Sequence, residues 1–518
     1  MRTSAMRAAM AAILLTAAGC SVTDTDIEHW KRTVRGPRRI TAVLLGQKYP
    51  KPLRIHAARA LIEMKHPNVN GLELLTQALT VMSREDREGI VHELIEPLKQ
   101  QLRGQGQQQT AAAPTDPMIR AKDAGYLLLR YTSAEDRRDL ANELMAWIMT
   151  DLRSRALSGQ FTAEQIVQAI GPDSSAAIIQ AINGNDDVVT VMNNLAQLLL
   201  TNATDAAKDG AARRMVSVCD QLASDAETPR LRQFAEQQLR ARSSQLTPER
   251  IEAAVRDVRE RKLSLMHEAL VTMNRPAGTE YFLRVAGTGS APIQRRKDAM
   301  TALQGHVRRE HSAALLALAT STAADVTDEL RGMAVDRLGE TQNATVVPQL
   351  WTLFDTANGG LEGDKYVLRW KLGEAILKLG GASIIPAFMQ HLSATRATPR
   401  GGTPFGGYTY AEINGYAGAL AELTPTPRDL VRAHLGSPLP HVRAVVVLFL
   451  ARQGQAPDEA RLGALVADAT PMVGPGWTEQ TLETFGKVAR RAQESLGRLL
   501  RPAAAAGQDA GAPTAAAR

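Results

Sequence analysis

Four basic residues, Lys262, Arg296, Arg331 and Arg369, fall 34, 35 and 38 residues apart, and each heads the same three-point frame. The frame is a basic residue, a small or apolar residue three on, and an aliphatic residue or Ala seven on. It reads Lys262/Leu265/Ala269, Arg296/Ala299/Leu303, Arg331/Ala334/Leu338 and Arg369/Leu372/Ile376. Offsets of three and seven place all three side chains near one face of a helix. The frame also occurs at Arg54/Ala57/Leu61, Arg232/Ala235/Leu239 and Arg443/Val446/Leu450. A chain this rich in Ala, Leu and Arg meets so loose a frame by chance roughly half a dozen times. The serial spacing therefore carries the argument, and a period of this size means stacked two-helix units.

Further marks travel with the period. Pro348 and Pro386 follow Arg331 and Arg369 by 17 residues and open second amphipathic stretches, where Pro at a first helical turn is expected. Nineteen residues after the basic position stands an apolar one: Tyr281, Leu315, Leu350, Phe388 and Leu462. Gly305, Gly339, Gly380-Gly381 and Gly454 lie where the first helix of each pair should end. This unit resembles the HEAT repeat, in particular the short form of the HEAT-like phycobilisome lyases, most clearly over 258–395 and 440–468. Asn414/Ala417/Ala421 resembles a degenerate unit displaced by an insertion. The resemblance implies an all-α fold, an α-solenoid of HEAT-like two-helix repeats, since each pair leaves apolar surface that only its neighbours can cover. The recurring basic position then reads as packing, bonded to neighbouring carbonyls or acids, rather than as a ladder for acidic ligands.

Helical periodicity extends beyond the array, at Leu53–Met64, Asn70–Met82, Arg87–Leu102 and Glu135–Leu152. Arg120, Ala124 and Leu127 read as the start of a further unit, whereas 134–225 reads as helical without a frame. The expected organisation is an N-terminal helical module over 20–103, a flexible linker over 104–117 and a divergent helical region over 118–257. The repeat array follows over 258–470, with a Gly/aromatic insertion near 398–412. A capping helix over 471–501 and a disordered Ala/Gly/Pro tail over 502–518 complete it. Within the cap, Leu482, Phe485, Val488, Ala489, Ala492 and Leu496 share one side; a membrane-surface helix is the alternative.

The N-terminus points to export. Arg2 and Arg7 precede an apolar stretch, Ala8–Ala18, too short to span a bilayer, and residues 1–19 read as a signal peptide. Ala17-Ala18-Gly19-Cys20 resembles the lipobox of bacterial lipoproteins, with Ala17 where Leu is usual. The resemblance implies cleavage between Gly19 and Cys20 and lipidation of the Cys20 thiol. Ser21, not an acid, resembles lipoproteins of the Gram-negative outer membrane. An ordinary cleaved secretory peptide is the other reading. Loss of Arg2 and Arg7 takes the formal charge from +7 to +5, a mild excess with no nucleic-acid footprint. The longest apolar run past the signal, Ala444–Ala451, is far below a spanning length and reads as a buried helix in a soluble body.

The chain lacks a recognisable reactive set. The only cysteines are Cys20 and Cys219, and Cys219 reads as a packing thiol in a helix. There is no Gly-x-Ser-x-Gly elbow, Walker loop or Cys-x-x-Cys, and Gly287-Thr288-Gly289-Ser290 reads as a turn. His306 and His311, five apart, fall on different helix faces, so no catalytic residue, no metal site and no cofactor is expected. Four of the 21 aromatics, Phe405, Tyr408, Tyr410 and Tyr416, cluster in and after the glycine-rich insertion. Such a loop can capture a partner, and these four are the candidate partner-binding residues. Equally, the aromatics can fold back to seal an irregular repeat. The expectation is a non-enzymatic, lipid-anchored scaffold binding envelope protein partners on the periplasmic side of the outer membrane, without nucleic acid. A HEAT-like lyase or other enzyme subunit, and a purely structural envelope-maintenance lipoprotein, stay open.

Overall fold

A computed structural model describes residues 22–66, 68–103, 116–154, 159–242, 246–356, 365–393, 408–472 and 484–501. The signal segment with Gly19 and Cys20, Phe405 and most of the 398–412 insertion, residues 104–115 and the tail 502–518 lie outside these residues. Among the described residues the regular structure is helical, apart from two isolated bridges, His66 with Val69 and Pro471 with Thr484. The chain divides into two compact units, Met1–Gly278 and Thr279–Arg518.

The first unit begins with α1 (Asp24–Trp30), α2 (Gly36–Leu45), α3 (Lys51–Glu63), α4 (Gly71–Val81) and α5 (Arg84–Leu102). It continues through α6 (Asp116–Leu128), α7 (Ala134–Ser154), α8 (Ala163–Ile170), α9 (Pro172–Ala181), α10 (Asp186–Val189) and α11 (Met192–Asn202). Last come α12 (Asp205–Ala223), α13 (Thr228–Ala241) and α14 (Pro248–Met273). Hydroxyl caps start many of these helices: Ser83 Oγ accepts from Asp86 N at 3.2 Å, and Thr162 forms a reciprocal capping box with Gln165.

Two expectations change in this unit. Residues 104–117 do not set the N-terminal module apart, because α5 packs directly on α6 and α7 across them. Ile90, Leu94 and Leu98 of α5 are buried, as are Ala121 and Ala124 of α6, so an apolar face on each side of the linker closes the gap. His92 meets Asp136 at 3.0 Å and Lys99 meets Asp139 at 3.4 Å across the same junction. Nor does a boundary fall at 257/258. Helix α14 runs continuously through that point and packs on α11, α12 and α13, which draws residues up to Gly278 into the first unit. Asn274 in the left-handed conformation, at φ 47°, ends it.

The helix α15 (Pro276–Gly287) leads into the second unit, followed by α16 (Ile293–Ala302), α17 (Ser312–Thr320), α18 (Asp328–Glu340), α19 (Val347–Thr356) and α20 (Lys365–Gly380). Then come α21 (Ile385–Ser393), α22 (Tyr410–Glu422), α23 (Arg428–Arg432), α24 (Pro440–Gln453), α25 (Ala456–Ala464) and α26 (Phe485–Leu500). The frame helices form one row, in which α16, α18, α20, α22, α24 and α26 each pack on the next of the series. The intervening α17, α19, α23 and α25 lie on α18, α20, α24 and α26 as a second row. The unit is thus an α-solenoid of two-helix repeats.

The expected marks occupy the places that stacking requires. All five residues at the nineteenth position, Tyr281, Leu315, Leu350, Phe388 and Leu462, are buried. Burying each such side chain contributes about 1.5–3 kcal/mol. Pro348 and Pro386 stand at the second position of α19 and α21. Helix α22 fills the place of the degenerate unit. The run Ala444–Ala451 lies in α24 with Val445, Val446, Val447 and Leu450 buried. Leu368–Ser393 is apolar enough by composition to cross a membrane, yet it folds as two helices broken at Gly381, whose φ is +59°. The cap helix begins at Phe485, and its apolar face, including Val488, Ala492 and Leu496, is covered by α24 and α25.

Candidate functional site

The frame arginines hold repeats together. Arg296 is buried; its Nε donates to Ala286 O at 2.8 Å, and its Nη1 donates to Asp325 O at 2.9 Å and Asp325 Oδ2 at 2.8 Å. Arg54 repeats the arrangement in the first unit, donating to Leu44 O at 3.0 Å and to Asp86 Oδ1 at 3.0 Å. In both cases the carbonyl lies ten residues upstream, at the end of the preceding helix, and the acid opens the next repeat. A guanidinium is suited to this because its donors diverge in a rigid fork, satisfying helix-end carbonyls that would otherwise be buried unpaired. The hydrogen bond from Arg54 holds the Asp86 carboxyl below its usual range. Lys262 donates to Gly184 O at 2.9 Å, and burial pushes its ammonium pKa down. Arg443 donates to Asp468 at 2.6 Å. Arg331 departs from the pattern and pairs within its own helix, with Asp328 at 2.7 Å. Arg232 is more exposed and pairs with Glu252.

Sequence reading overlooked one member of this set. Arg137 donates to Leu129 O at 2.8 Å and Ala169 O at 2.6 Å, joining α7 to the end of α8. Arg137/Leu140/Leu144 obeys the three-point frame, so the signal was present in a region that lacks the serial spacing.

The aromatic candidates are distributed differently from expectation. Tyr408 and Tyr416 are each 0% exposed, so neither is a partner-binding residue, and of the two readings of the insertion, folding back is the one their burial fits. Tyr410 is half-buried at the start of α22, and Phe405 lies outside the described residues. The Tyr416 ring meets Phe388 edge-on at 5.2 Å, Tyr408 at 6.5 Å and Phe354 at 6.5 Å, while Tyr408 stacks on His441 at 5.5 Å. Rings from α19, α21, α22 and α24 thereby close one core across successive repeats, where edge-to-face contact adds to area burial.

Arg369 and Glu412 anchor this core. The carboxylate accepts from Arg369 Nε and, at 2.8 Å, from Arg369 Nη2, with the two side chains 2% and 0% exposed. Glu412 also completes a capping box: its Oε2 accepts from Thr409 N at 2.7 Å, and Glu412 N donates to Thr409 Oγ1 at 3.2 Å. The Tyr408 ring lies 4.7 Å from the guanidinium. Burial opposes the charged guanidinium, but the hydrogen bonds and charge of Glu412 outweigh it and raise the Arg369 pKa. Here the acid belongs to the helix that follows the insertion, so the pair fixes where the chain re-enters the stack.

Two glycines let α20 and α22 approach closely. A Cβ on Gly373 would fall 2.3 Å from Tyr416 Cε1, and one on Gly415 would fall 1.9 Å from Trp370 Nε1. Each helix therefore sets a ring over a glycine of the other. Nearby, His441 Nε2 lies 2.6 Å from Leu392 O, and burial pushes the imidazole pKa below its usual value despite that hydrogen bond. These groups are spent on packing. Cys219 is buried in α12, and Gly287-Thr288-Gly289-Ser290 forms the turn between α15 and α16, as expected. His311 Nδ1 accepts from Arg308 N at 2.9 Å, a local cap. Among the described residues no group of three or more His, Cys, Asp or Glu side chains is placed to hold a metal ion.

Fold and staples together define the class: an all-α solenoid of HEAT-like helix pairs. Neither a family model nor a curated protein matches the chain. Among solved structures, the chain aligns with a crystal structure of importin beta in an ammonium sulfate condition at 12% identity and a TM-score of 0.26. That alignment covers 92% of this chain and 64% of importin beta. Human deoxyhypusine hydroxylase in complex with glycerol aligns at 14% identity and a TM-score of 0.17, over 80% of this chain and 95% of that one. The chain thus spans less than two thirds of the importin beta structure, and at these TM-scores neither alignment bears on function.

Proposed function

We propose that the protein is a non-enzymatic scaffold of the bacterial cell envelope, lipid-anchored through Cys20 and binding protein partners on a solenoid surface. The observation that carries the reading is the division of labour among its polar groups. Arg54, Arg296, Arg369 and Glu412 are turned inward to join repeats, and the rows of helices they join form the extended surface on which such proteins bind others. The signal-like N-terminus ending in Ala17-Ala18-Gly19-Cys20 supports a location facing the periplasm. In-cell crosslinking and pull-down test the scaffold: specific envelope proteins should be recovered, and recovery of none refutes it in favour of a purely structural role. Fractionation tests the anchor. After a wash at about 500 mM salt, which removes electrostatic contacts, Cys20→Ala should leave the membrane fraction, and its persistence there would contradict lipidation.

A further inference from the structure

The positive charge is concentrated at one place. From His29 to Ile62 the chain carries nine Lys and Arg residues and no Asp or Glu. Several are engaged: Arg54 is a staple, Lys31 meets Glu28 at 2.8 Å and Glu63 at 2.9 Å, and Lys51 lies 3.8 Å from Glu93. Arg32, Arg35, Arg38 and Arg39 are exposed and, among the described residues, form no ion pair; Arg39 only overlies the Trp30 ring at 5.5 Å. The acids of α1 are turned to other partners. Glu28 bonds Lys31 and His56, Asp24 lies 3.9 Å from His56, and Asp26 caps against Thr23.

Four unneutralised guanidiniums within eight residues repel one another, an arrangement that favours an anionic surface opposite them. The first turn of α2 adds to this, since it contains no acid and its N-cap Arg35 supplies no side-chain hydrogen bond. At the centre stands Val34, 87% exposed, the most exposed large apolar side chain among the described residues. Arg38, Ala42 and Leu45, all exposed, continue one stripe along α2, while Ile40, Val43 and Leu44 face the core. Guanidiniums around apolar side chains suit a phospholipid surface, in which charge meets the phosphates and the apolar group enters the headgroup layer.

We propose that Arg32, Arg35, Arg38 and Arg39, set around Val34, bind the anionic phospholipid surface of the membrane. Arg32 follows Cys20 by only 12 residues, so the patch is a second membrane contact close to the anchor, which orients the first helices against the bilayer. Its setting rests on the lipoprotein reading, but its chemistry does not, and the test separates the two.

The experiment uses the mature chain from residue 20 with Cys20→Ser, which carries no acyl chain, sedimented with vesicles of phosphatidylglycerol and phosphatidylcholine or of phosphatidylcholine alone. Binding should require phosphatidylglycerol and weaken as salt rises from about 50 mM to about 500 mM. Each basic residue near an anionic surface changes partition by about fivefold, so neutralising R32Q, R35Q, R38Q and R39Q together should reduce it by several hundredfold, on the order of 500. V34S, which adds no charge, should cost about tenfold by removing apolar insertion. A control neutralising the exposed Lys487, Arg490, Arg491 and Arg498 of α26 to Gln removes the same charge elsewhere and should bind as the parent does. Equal binding to phosphatidylcholine alone, parental binding by the four-arginine variant, or an equal loss in the control overturns the proposal. A wash at about 500 mM salt strips such an electrostatic contact but not an acyl anchor, so fractionation of Cys20→Ala after that wash is judged separately from vesicle binding.

Discussion

Replacing Glu412 by Gln should destabilise the second unit by about 3–5 kcal/mol, the usual cost of leaving one member of a buried ion pair without its counter-charge. The structure explains why the figure belongs at that level. Glu412 is fully buried, accepts two donors from a guanidinium that is itself 2% exposed, and also accepts Thr409 N at 2.7 Å. A glutamine amide can offer one acceptor oxygen but presents donors where the guanidinium also donates. The Arg369 charge then remains buried opposite a neutral group. For a unit of this size each kcal/mol lowers the melting temperature by about 2–4 °C, so a loss of roughly 6–20 °C is expected. Arg369→Met should cost a similar amount by stranding the carboxylate. The double variant Arg369→Met with Glu412→Leu removes both charges and should recover most of the loss, because an apolar pair of similar volume has no desolvation to repay. Urea unfolding of the parent, Arg369→Met, Glu412→Leu and the double variant gives the cycle, with Glu412→Gln measured beside it. Hydrogen exchange of the amides of Tyr410–Glu422 localises it, since α22 should open more readily in the single variants. A cost below about 1 kcal/mol for Glu412→Gln, or a double variant as unstable as the two singles combined, would refute the reasoning.

Two further outcomes bear on the same core. Gly415→Ala, whose new methyl would meet Trp370 Nε1 at 1.9 Å, should cost about 1–3 kcal/mol in thermal unfolding, whereas Gly418→Ala, with open space around it in the same helix, should be neutral or stabilising by about 0.5–1 kcal/mol; equal effects would show that the close approach of α20 and α22 is not tight. Because burial lowers the His441 pKa in the folded state below its usual value, the unfolded chain binds the proton more readily there. The stability from this group is fully present above about 6.5 and is lost as pH falls from that value through the folded pKa. His441→Gln should flatten that part of the urea-midpoint profile between about pH 7.5 and 5, and an unchanged difference between the two proteins across the range would count against it.

The helix pairs were legible because stacking repeats the same burial problem at a fixed interval. Tyr281, Leu315, Leu350, Phe388 and Leu462 could be picked out by counting, and each is buried. The packing role of Arg54 and Arg296 was legible for the same reason: a basic residue that recurs with the repeat serves the repeat. Tyr408 and Tyr416 were not assignable in this way. A tyrosine after a glycine-rich insertion has the same composition whether it faces water or the core, and only the position of α22 against α20, α21 and α24 decides between them. Gly373 and Gly415 were invisible as contact points because each matters only through a ring on the other helix. The supposed linker at 104–117 failed as a separator because local composition describes the connecting chain, whereas the packing of α5 on α6 depends on the apolar faces beside it.

Local and periodic properties, namely helix content, caps, the repeat interval and the signal-like N-terminus, can be read along the chain because the physics that produces them acts within a few residues or repeats at a constant distance. Tertiary structure alone decided the partners that the chain brings together over irregular distances. Arg296 meets an acid 29 residues on, but Arg369 meets Glu412 43 residues on, because an insertion intervenes. The same holds for the exposed arginines around Val34. Only the folded chain reveals that Glu28, Asp24 and Asp26 are occupied elsewhere and that Arg32, Arg35, Arg38 and Arg39 meet no acid among the described residues, since side-chain pairing depends on proximity in space and not on charge counted along the sequence.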